Sequence, residues 1–192
     1  TPFTRVLMSN DGLFEAMINS SNINSVDSEG NTPLLIAIQK NADIEKIKYL
    51  IALGSNINAR NRDGNSALYF AVKENKKEIG VLLLEKDANI FSANTQNVSP
   101  LKLALTTSKN NWLINSNTIK ATDGSGNTAL HYCSEWNLLD SVEYLVQKGA
   151  LINARNANGQ TPLFSAAKSD DTEIIKALIS KGADINARDN LG

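Results

Sequence analysis

Two short stripes of hydrophobic residues with helical spacing lie near the end of the chain. The first stripe is narrow and consists of Leu163, Ala166 and Ala167. The second is wider and consists of Ile174, Ile175, Leu178 and Ile179. Apolar residues spaced three and four apart are typical of a helix with one buried face. The pattern therefore predicts two short helices in succession.

Residues suited to begin and end helices delimit both stripes. Thr161 can cap the first helix, because its hydroxyl can accept a bond from a free N–H of the first turn, and Pro162 suits the first helical position. Thr172 is predicted to cap the second helix, and Gly182 to end it in the left-handed conformation. Neither helix reaches the roughly 12–15 residues that an isolated helix needs, so the unit is expected to stack on a neighbour.

The same unit recurs along the chain. A Ser or Thr cap followed by Pro or Ala and then Leu begins at Thr32, Ser66, Ser99, Thr128 and Thr161, at intervals of 34, 33, 29 and 33 residues. A turn residue precedes each cap, in the order Gly30, Gly64, Asn97, Gly126 and Gly159. Four of the five units end in a sequence similar to Gly-Ala-Asp-Ile-Asn, which begins at Gly54, Asp87, Gly149 and Gly182. A nearly constant period of this length indicates stacked repeats.

This unit resembles the ankyrin repeat, whose signature is Thr-Pro-Leu-His-x-Ala and whose period is about 33 residues. The resemblance covers nearly the whole chain. It implies an all-α solenoid of helix-turn-helix units joined by β-turn loops, here called fingers. The predicted organisation is a degenerate N-terminal capping repeat at 1–26, five repeats, and the start of an incomplete further repeat at 189–192. The five repeats are predicted at 27–60, 61–93, 94–122, 123–155 and 156–188.

Three departures from the repeat are expected to alter the structure locally. The third repeat is four residues short, so its second helix, around 110–115, is predicted to be abbreviated and to bend or soften the stack. The extra residue of the first repeat is expected in the loop between its helices. Asp87 stands where Gly is usual and should be slightly strained.

Separate predictions apply to the two ends of the chain. The capping repeat is predicted to bury a helix face formed by Leu13, Phe14, Met17 and Ile18. The fifth repeat keeps an apolar second helix where a solenoid end needs a polar cap. The natural chain therefore either continues beyond Gly192 or ends in a dispensable tail, and both readings stay open. The first residue is Thr1 rather than Met, so a missing signal segment says nothing about export.

Composition narrows the classes of function. A chain of 192 residues with 42% hydrophobic content fits one elongated domain. The net charge of −1 does not suggest the basic face of a nucleic-acid-binding protein. The sequence has no run of about 18 apolar residues, so no membrane insertion is predicted. We expect a monomer; the compartment is unknown, with the cytoplasm favoured.

The sequence does not predict a catalytic residue, a metal site or a cofactor. One histidine and one cysteine cannot assemble a zinc site or a nucleophilic triad. The resemblance gives His131 a structural role, with hydrogen bonds to the backbone of the fingers. Cys133 is expected to be a small buried hydrophobe. Gly124-Ser125-Gly126 lacks the following Lys-Ser/Thr of a phosphate loop and is interpreted as a finger turn.

The resemblance places partner contacts on a concave face formed by the fingers and the ends of the first helices. The candidate contact residues are Arg62, Asp63, Asn65, Lys73, Glu74, Gln96, Thr106, Thr107, Ser125, Asn127, Glu135, Trp136, Asn158, Gln160 and Lys168. Trp136 is the most distinctive, because exposed tryptophan is enriched at binding hot spots. The alternative is that Trp136 covers a packing gap left by the short third repeat.

Other repeat positions are interpreted structurally. Tyr69 and Phe164 replace the signature histidine and are expected to pack between fingers, and Trp112 is expected in the core. Arg60, Arg155 and Arg188 share one repeat position and support at most a mild preference for an acidic partner. The resemblance implies that Asn58, Asn153 and Asn186 stabilise turns, although some asparagines at this position are hydroxylated in the family.

The function predicted from these features is a non-catalytic protein–protein interaction module that binds a protein on its concave face. Two alternatives stay open. The chain could be the recognition part of a larger enzyme or effector whose catalytic domain lies elsewhere. It could also be a structural spacer between other domains.

Overall fold

The computed structural model of the chain describes residues 17–107, 111–169 and 172–192. Within these ranges the regular elements are helices, accompanied by two isolated antiparallel bridges, Arg60–Ser66 and Thr122–Thr128. Each bridge closes the base of a finger. The chain forms two compact units, Thr1–Ala104 and Leu105–Gly192.

The first unit is built from pairs of short helices. The pairs are α1 and α2 (Pro33–Gln39 and Ile44–Ala52) and α3 and α4 (Ala67–Lys73 and Lys77–Leu84). Helix α5 (Pro100–Thr107) begins in this unit and ends in the second. Helix α1 packs against α2 and α3, and α3 packs against α4. The two helices of each pair therefore pack on each other, and the first helix of the first pair lies beside the first helix of the second.

The second unit has the same construction after an irregular beginning. A 3-10 helix, Asn111–Leu113, is followed by α6 (Ala129–Glu135), α7 (Leu139–Gln147), α8 (Pro162–Ala167) and α9 (Thr172–Ser180). Helix α6 packs against α7 and α8, and α9 packs against both α7 and α8. None of these helices is longer than nine residues, so packing between repeats must supply the stability that each helix lacks alone.

The core of each unit is aliphatic. In the first unit it includes Leu34, Ile38, Ile47, Leu50, Leu68 and Leu83. In the second it includes Leu113, Leu130, Cys133, Val142, Leu145, Ala166, Ile174 and Leu178. Full burial of one large aliphatic side chain stabilises a fold by roughly 1.5–3 kcal/mol. The expectation that Cys133 is a buried hydrophobe is confirmed.

Positive-φ residues end the helices in both units. Asn41, Asn75 and Asn137, which were not among the predicted turn residues, follow first helices with φ of 56°, 52° and 56°. The next residue then donates its N–H to a carbonyl five positions back, in the pairs Ala42–Ala37, Lys76–Ala71 and Leu138–Cys133. This is the bond of a Schellman motif. Gly182 and Asp87 end second helices in the same way, as predicted, with φ of 93° and 58°.

The abbreviated second helix of the third repeat is confirmed. It is reduced to a single 3-10 turn, Asn111–Leu113, within the described residues of this region. Leu113 is fully buried, whereas Trp112 is only half-buried, so the prediction that Trp112 lies in the core is only partly right. Asn115 then closes a turn by accepting the backbone N–H groups of Asn117 (2.9 Å) and Thr118 (3.1 Å).

Three predicted apolar faces need correction. In α8 the buried face contains Ser165 and Ala166, whereas Ala167, the last residue of the helix, is exposed. In α9 Ile179 is 44% exposed, because within the described residues no further helix packs on that side. Met17 is 48% exposed while Ile18 is buried. Leu13 and Phe14, predicted to share their face, lie outside the described residues.

Two predicted helix caps are also wrong in detail. The Thr161 hydroxyl is buried without a hydrogen-bond partner, because the Phe164 N–H donates to the Thr161 backbone carbonyl instead (2.9 Å). By contrast, the Ser66 hydroxyl accepts the Tyr69 N–H at 3.2 Å, as a capping side chain should. Thr172 is the first residue of α9 rather than its cap.

Candidate functional site

Each finger is a tight turn closed by an Asp or Asn side chain at its base. In the fourth repeat the Asp123 carboxylate accepts the backbone N–H groups of Ser125 (2.9 Å) and Asn127 (2.8 Å). Such a turn fixes the backbone locally, and the tip glycine, Gly126, adopts a φ of 78°. The same pair of bonds is made in other repeats by Asp27, Asn94 and Asn156. The interpretation of Gly124-Ser125-Gly126 as a finger turn is confirmed.

Backbone hydrogen bonds join neighbouring fingers within each unit. An N–H of one finger donates to a carbonyl of the finger before it, at 2.9 Å in the pairs Arg62–Glu29, Thr95–Asp63, Ala157–Ser125 and Asn190–Asn158. The backbone of four candidate contact residues is therefore fixed, and the structure exposes their side chains: Arg62, Asp63, Ser125 and Asn158.

Side-chain amides form a second connection between fingers, here called the amide ladder. The Nδ2 of one asparagine donates to the Oδ1 of another in the preceding repeat, in the pairs Asn61–Asn31 (3.0 Å), Asn94–Asn65 (2.8 Å) and Asn156–Asn127 (2.8 Å). Gln160 makes a related bond to Asp189 at 3.3 Å. Three of the candidate contact residues, Asn65, Asn127 and Gln160, are thus engaged in holding fingers together.

Asparagines at the ends of the repeats make a third connection. The Asn153 Nδ2 donates to the Gly182 carbonyl (3.2 Å), and its Oδ1 accepts the Asp184 N–H (2.9 Å). Asn58 makes the equivalent bonds to Asp87 and Asn89. The turn-stabilising role expected of Asn58 and Asn153 is confirmed. Asn186 occupies the same position, but within the described part of the chain its side chain makes no such bond.

His131 connects the fourth and fifth repeats. Its Nδ1 accepts the Thr128 backbone N–H (3.1 Å), so Nδ1 carries no proton and Nε2 donates to the Gln160 carbonyl (3.0 Å). Burial lowers the pKa of the imidazole, and the Gln160 bond and the charge of Asp123 oppose this only in part. His131 is therefore neutral and structural, as the resemblance implies.

A pair of aromatic side chains lies at the end of α6. The Tyr132 and Trp136 rings are tilted by 32° with their centroids 4.9 Å apart, and both side chains are half-buried. The Tyr132 hydroxyl donates to Asp123 Oδ2 at 2.6 Å, which ties the pair to the base of the finger. Tyr132 was not among the predicted contact residues. Its position four residues before Trp136 on a helix was the available signal.

The charges around Tyr132 are negative. Burial, the bond to Asp123 and the charges of Asp123 and Glu135 raise the pKa of Tyr132 to about 12. Burial also raises the pKa of the Asp123 carboxyl, but hydrogen bonds from Tyr132, Asn127 and Ser125 outweigh it and bring that pKa below its usual range. Asp123 is therefore an anion, and the exposed Glu135 lies close enough to act on the same phenol.

The remaining candidate contact residues are distributed over both units. In the first unit Lys73 and Gln96 are exposed, and Glu74 forms an ion pair with Lys76. Thr106 and Thr107 are exposed at the end of α5. In the second unit the exposed Lys168 reaches Gln160 Oε1 at 3.4 Å.

The arginines at the shared repeat position differ in their roles. Arg60 Nε donates to the Gly64 carbonyl at 2.9 Å, and its Nη2 donates to the Ala93 carbonyl, so its guanidinium braces the finger and reaches the next repeat. Arg155 and Arg188 are exposed. Tyr69 is buried and meets Phe70 edge-on, with ring centroids 5.7 Å apart, whereas Phe164 is half-buried.

The described residues contain neither a metal-binding cluster nor a membrane-spanning helix. They contain no group of three or more His, Cys, Asp or Glu side chains arranged to hold a metal ion. Burial raises the pKa of the Cys133 thiol to about 12, so the thiolate is scarce at neutral pH. None of the helices in the described ranges is long and apolar enough to cross a membrane.

Comparisons with known proteins agree with this architecture. The family model described as ankyrin repeats (3 copies) matches residues 6–97, 91–156 and 106–189. The chain is similar to the crystal structure of the ankyrin repeat domain of Bcl-3, a member of the IkappaB protein family. The TM-score is 0.67 and the identity 24%, over 98% of this chain and 89% of that chain.

A second similar chain comes from the structure of the predatory endopeptidase Bd0816 from Bdellovibrio bacteriovorus in complex with the immunity protein Bd3460. The TM-score is 0.54 and the identity 23%, over 93% of this chain and 97% of that chain. No curated protein sequence matches the chain. Likeness at these identities shows the fold, and ankyrin repeats are generally non-catalytic modules of protein–protein interaction. The extent of the family-model matches and the shared helix-pair architecture establish that this chain belongs to the ankyrin-repeat family.

Proposed function

We propose that this chain is a non-catalytic module that binds a partner protein on its concave face, through the fingers and the ends of the first helices. The observation that carries the proposal is the position of Trp136. It lies at the end of α6, half-buried against Tyr132, which is itself hydrogen-bonded to Asp123. Large aromatic side chains in such positions are enriched at binding hot spots.

The rigidity of the surrounding backbone supports the same proposal. Binding is weakened by the entropy lost when side chains and loops become ordered. Here the finger turn, its bond to the next finger and the amide ladder already order the loop beside Trp136. A partner would meet exposed side chains such as Ser125 and Glu135 on a fixed backbone, and little of its binding energy would be spent on ordering them.

The test is affinity capture from a lysate of the source cells with two matched variants. Trp136→Ser removes the aromatic ring and places at this position the residue that the fifth repeat has there, Ser169. Leu151→Ser is the control, because Leu151 is also a large hydrophobic residue, 68% exposed, and lies in the loop after α7, away from the end of α6. Circular dichroism checks that both variants fold.

We expect a partner protein to be retained by the parent chain and by Leu151→Ser but lost by Trp136→Ser. If the two variants and the parent chain capture the same proteins, or none, the proposed surface is wrong. The role of a structural spacer would then gain support.

A further inference from the structure

We infer that Asp123, Tyr132, Glu135 and Trp136 form a surface that binds a single arginine side chain of the partner protein. We call these four residues the acidic aromatic surface. The inference rests on the protein-binding function proposed above and adds the chemistry of the partner.

The stacked ring pair supplies an aromatic face for a cation. The Tyr132 and Trp136 centroids are 4.9 Å apart, and neither ring is fully buried. A guanidinium is planar and weakly hydrated, so it stacks on aromatic faces, and tryptophan is the most favourable of them. A ring pair fixed in this way would orient a guanidinium before it meets the carboxylates.

Two carboxylates give this surface a negative charge. Asp123 accepts a hydrogen bond from the Tyr132 hydroxyl at 2.6 Å, and the charge of Glu135 acts on the same phenol. Among the described residues no Lys or Arg forms an ion pair with either carboxylate. The surface therefore complements a cation, and an acidic segment would be repelled from it.

The neighbouring positions make this surface a single site rather than part of a continuous stripe. Thr107 and Ser169 occupy the position of Trp136 in the third and fifth repeats. Lys168 occupies the position of Glu135 in the fifth repeat, and its ammonium donates to Gln160 Oε1 (3.4 Å) instead of a carboxylate. One arginine, rather than a run of basic residues, is the ligand that fits.

The chain itself provides conservative variants that remove the charge. Asn stands at the position of Asp123 in the second, third and fifth repeats (Asn61, Asn94 and Asn156), where it closes the same turn. Gln39 stands at the position of Glu135 in the first repeat. The double variant Asp123→Asn, Glu135→Gln should therefore fold, and thermal unfolding followed by circular dichroism checks this. Glu143→Gln, at an exposed carboxylate on α7, is the matched control.

Binding can be followed from Trp136 alone. The chain has two tryptophans, so Trp112→Phe leaves Trp136 as the only one. The probe is a synthetic Gly/Ser peptide that carries three separated arginines. Two peptides of the same length replace the arginines with lysine or with citrulline, which keeps the shape of arginine and removes its charge.

We expect the arginine peptide to change Trp136 fluorescence in a saturable way that weakens as salt is added. The lysine peptide should bind more weakly, and the citrulline peptide at least about tenfold more weakly than the arginine peptide. The double variant should lose at least about tenfold in affinity for the arginine peptide, whereas Glu143→Gln should lose none.

The inference fails if the arginine and citrulline peptides bind equally, if the arginine peptide shows no saturable binding, or if the double variant binds it like the parent. Lysate capture separates this failure from that of the proposed function. If the double variant still retains a protein that Trp136→Ser loses, the concave face binds a protein but not through an arginine. If Trp136→Ser loses nothing, the proposed function itself is wrong.

Discussion

The Nε2 of His131 lies 3.0 Å from the backbone carbonyl oxygen of Gln160, so one imidazole joins the first helix of the fourth repeat to the finger of the fifth. Its Nδ1 simultaneously accepts the Thr128 N–H. The Thr128 bond requires the neutral ring, because a protonated Nδ1 cannot accept, whereas the Nε2–H can donate to Gln160 in either charge state. Protonation would break the Thr128 bond and charge a buried ring, so the stability of the protein should depend on pH through His131.

We predict that acid destabilises the protein through His131 before the carboxylates titrate. The pKa of His131 is lowered in the fold, so as pH falls below about 6.5 the unfolded chain binds a proton first. The free energy of unfolding should then fall by at most about 1.4 kcal/mol per pH unit until the folded pKa is passed. Urea unfolding at pH 7.5 and pH 5 measures the change.

The control for this prediction is His131→Leu, since Leu35 occupies the same position in the first repeat. This variant should be less stable at pH 7.5 by about 1–3 kcal/mol, because the Thr128 N–H and the Gln160 carbonyl lose their partner. Its stability should change less between pH 7.5 and pH 5 than that of the parent. An equal pH dependence in both proteins would exclude His131 as the cause.

We predict that Gly126→Ala destabilises the finger junction strongly. Gly126 has a φ of 78°, and a Cβ there would lie 2.9 Å from the Ala157 backbone nitrogen, which bonds to the neighbouring Ser125 carbonyl. We expect a loss of roughly 2–4 kcal/mol in urea unfolding, from the left-handed backbone and the clash together.

Gly149→Ala separates these two causes. Gly149 has a φ of 92°, but a Cβ there meets nothing within 4 Å. Only the backbone penalty of about 1–2 kcal/mol remains. If the two variants are equally destabilised, the close approach of Ala157 has no energetic consequence.

We predict that Asn153→Ala weakens the contact between the fourth and fifth repeats, because Asn153 bonds to both Gly182 and Asp184. The expected cost is about 1–2 kcal/mol for two lost hydrogen bonds. Asn186→Ala changes the same repeat position, where no side-chain bond to a following repeat exists within the described residues. It should cost less than about 0.5 kcal/mol in the same urea titration. Similar losses would mean that the residue acts within its own turn.

We predict that Cys133, the only cysteine, does not react with a thiol reagent at pH 8 unless the protein unfolds. Its side chain is fully buried, and burial raises the pKa of the thiol to about 12. The labelling rate should rise with urea in parallel with unfolding followed by circular dichroism. Rapid labelling of the native protein would show that the fourth repeat opens locally.

The features predicted correctly from the sequence depend on residues close together in the chain. Gly126 and Gly159 ended up with positive φ because a turn of this shape requires it, whatever lies beyond the repeat. The abbreviated helix at Asn111–Leu113 followed from the number of residues between two caps. The role of His131 is the exception, because its partner, Gln160, is 29 residues away and only the resemblance predicted the contact.

The incorrect predictions concern which helix faces are buried and which side chains form hydrogen bonds with each other. Ala167 was predicted to be buried and is exposed, while Ser165 is buried, because the rotation of a short helix depends on the helices that pack on it. The Thr161 hydroxyl has no partner although its sequence context is that of a good cap. Tyr132 was overlooked because its bond to Asp123 joins two residues nine positions apart.

The sequence by itself determined the family and the turns at the ends of the repeats, because caps, glycines and periodic hydrophobic residues act within one repeat. Only the tertiary structure decided which asparagines form the amide ladder, which faces of α8 and α9 are covered, and that Tyr132 connects Trp136 to Asp123. The reason is physical: such contacts depend on side-chain positions across turns and repeat junctions, where shifts of an ångström make or break a hydrogen bond.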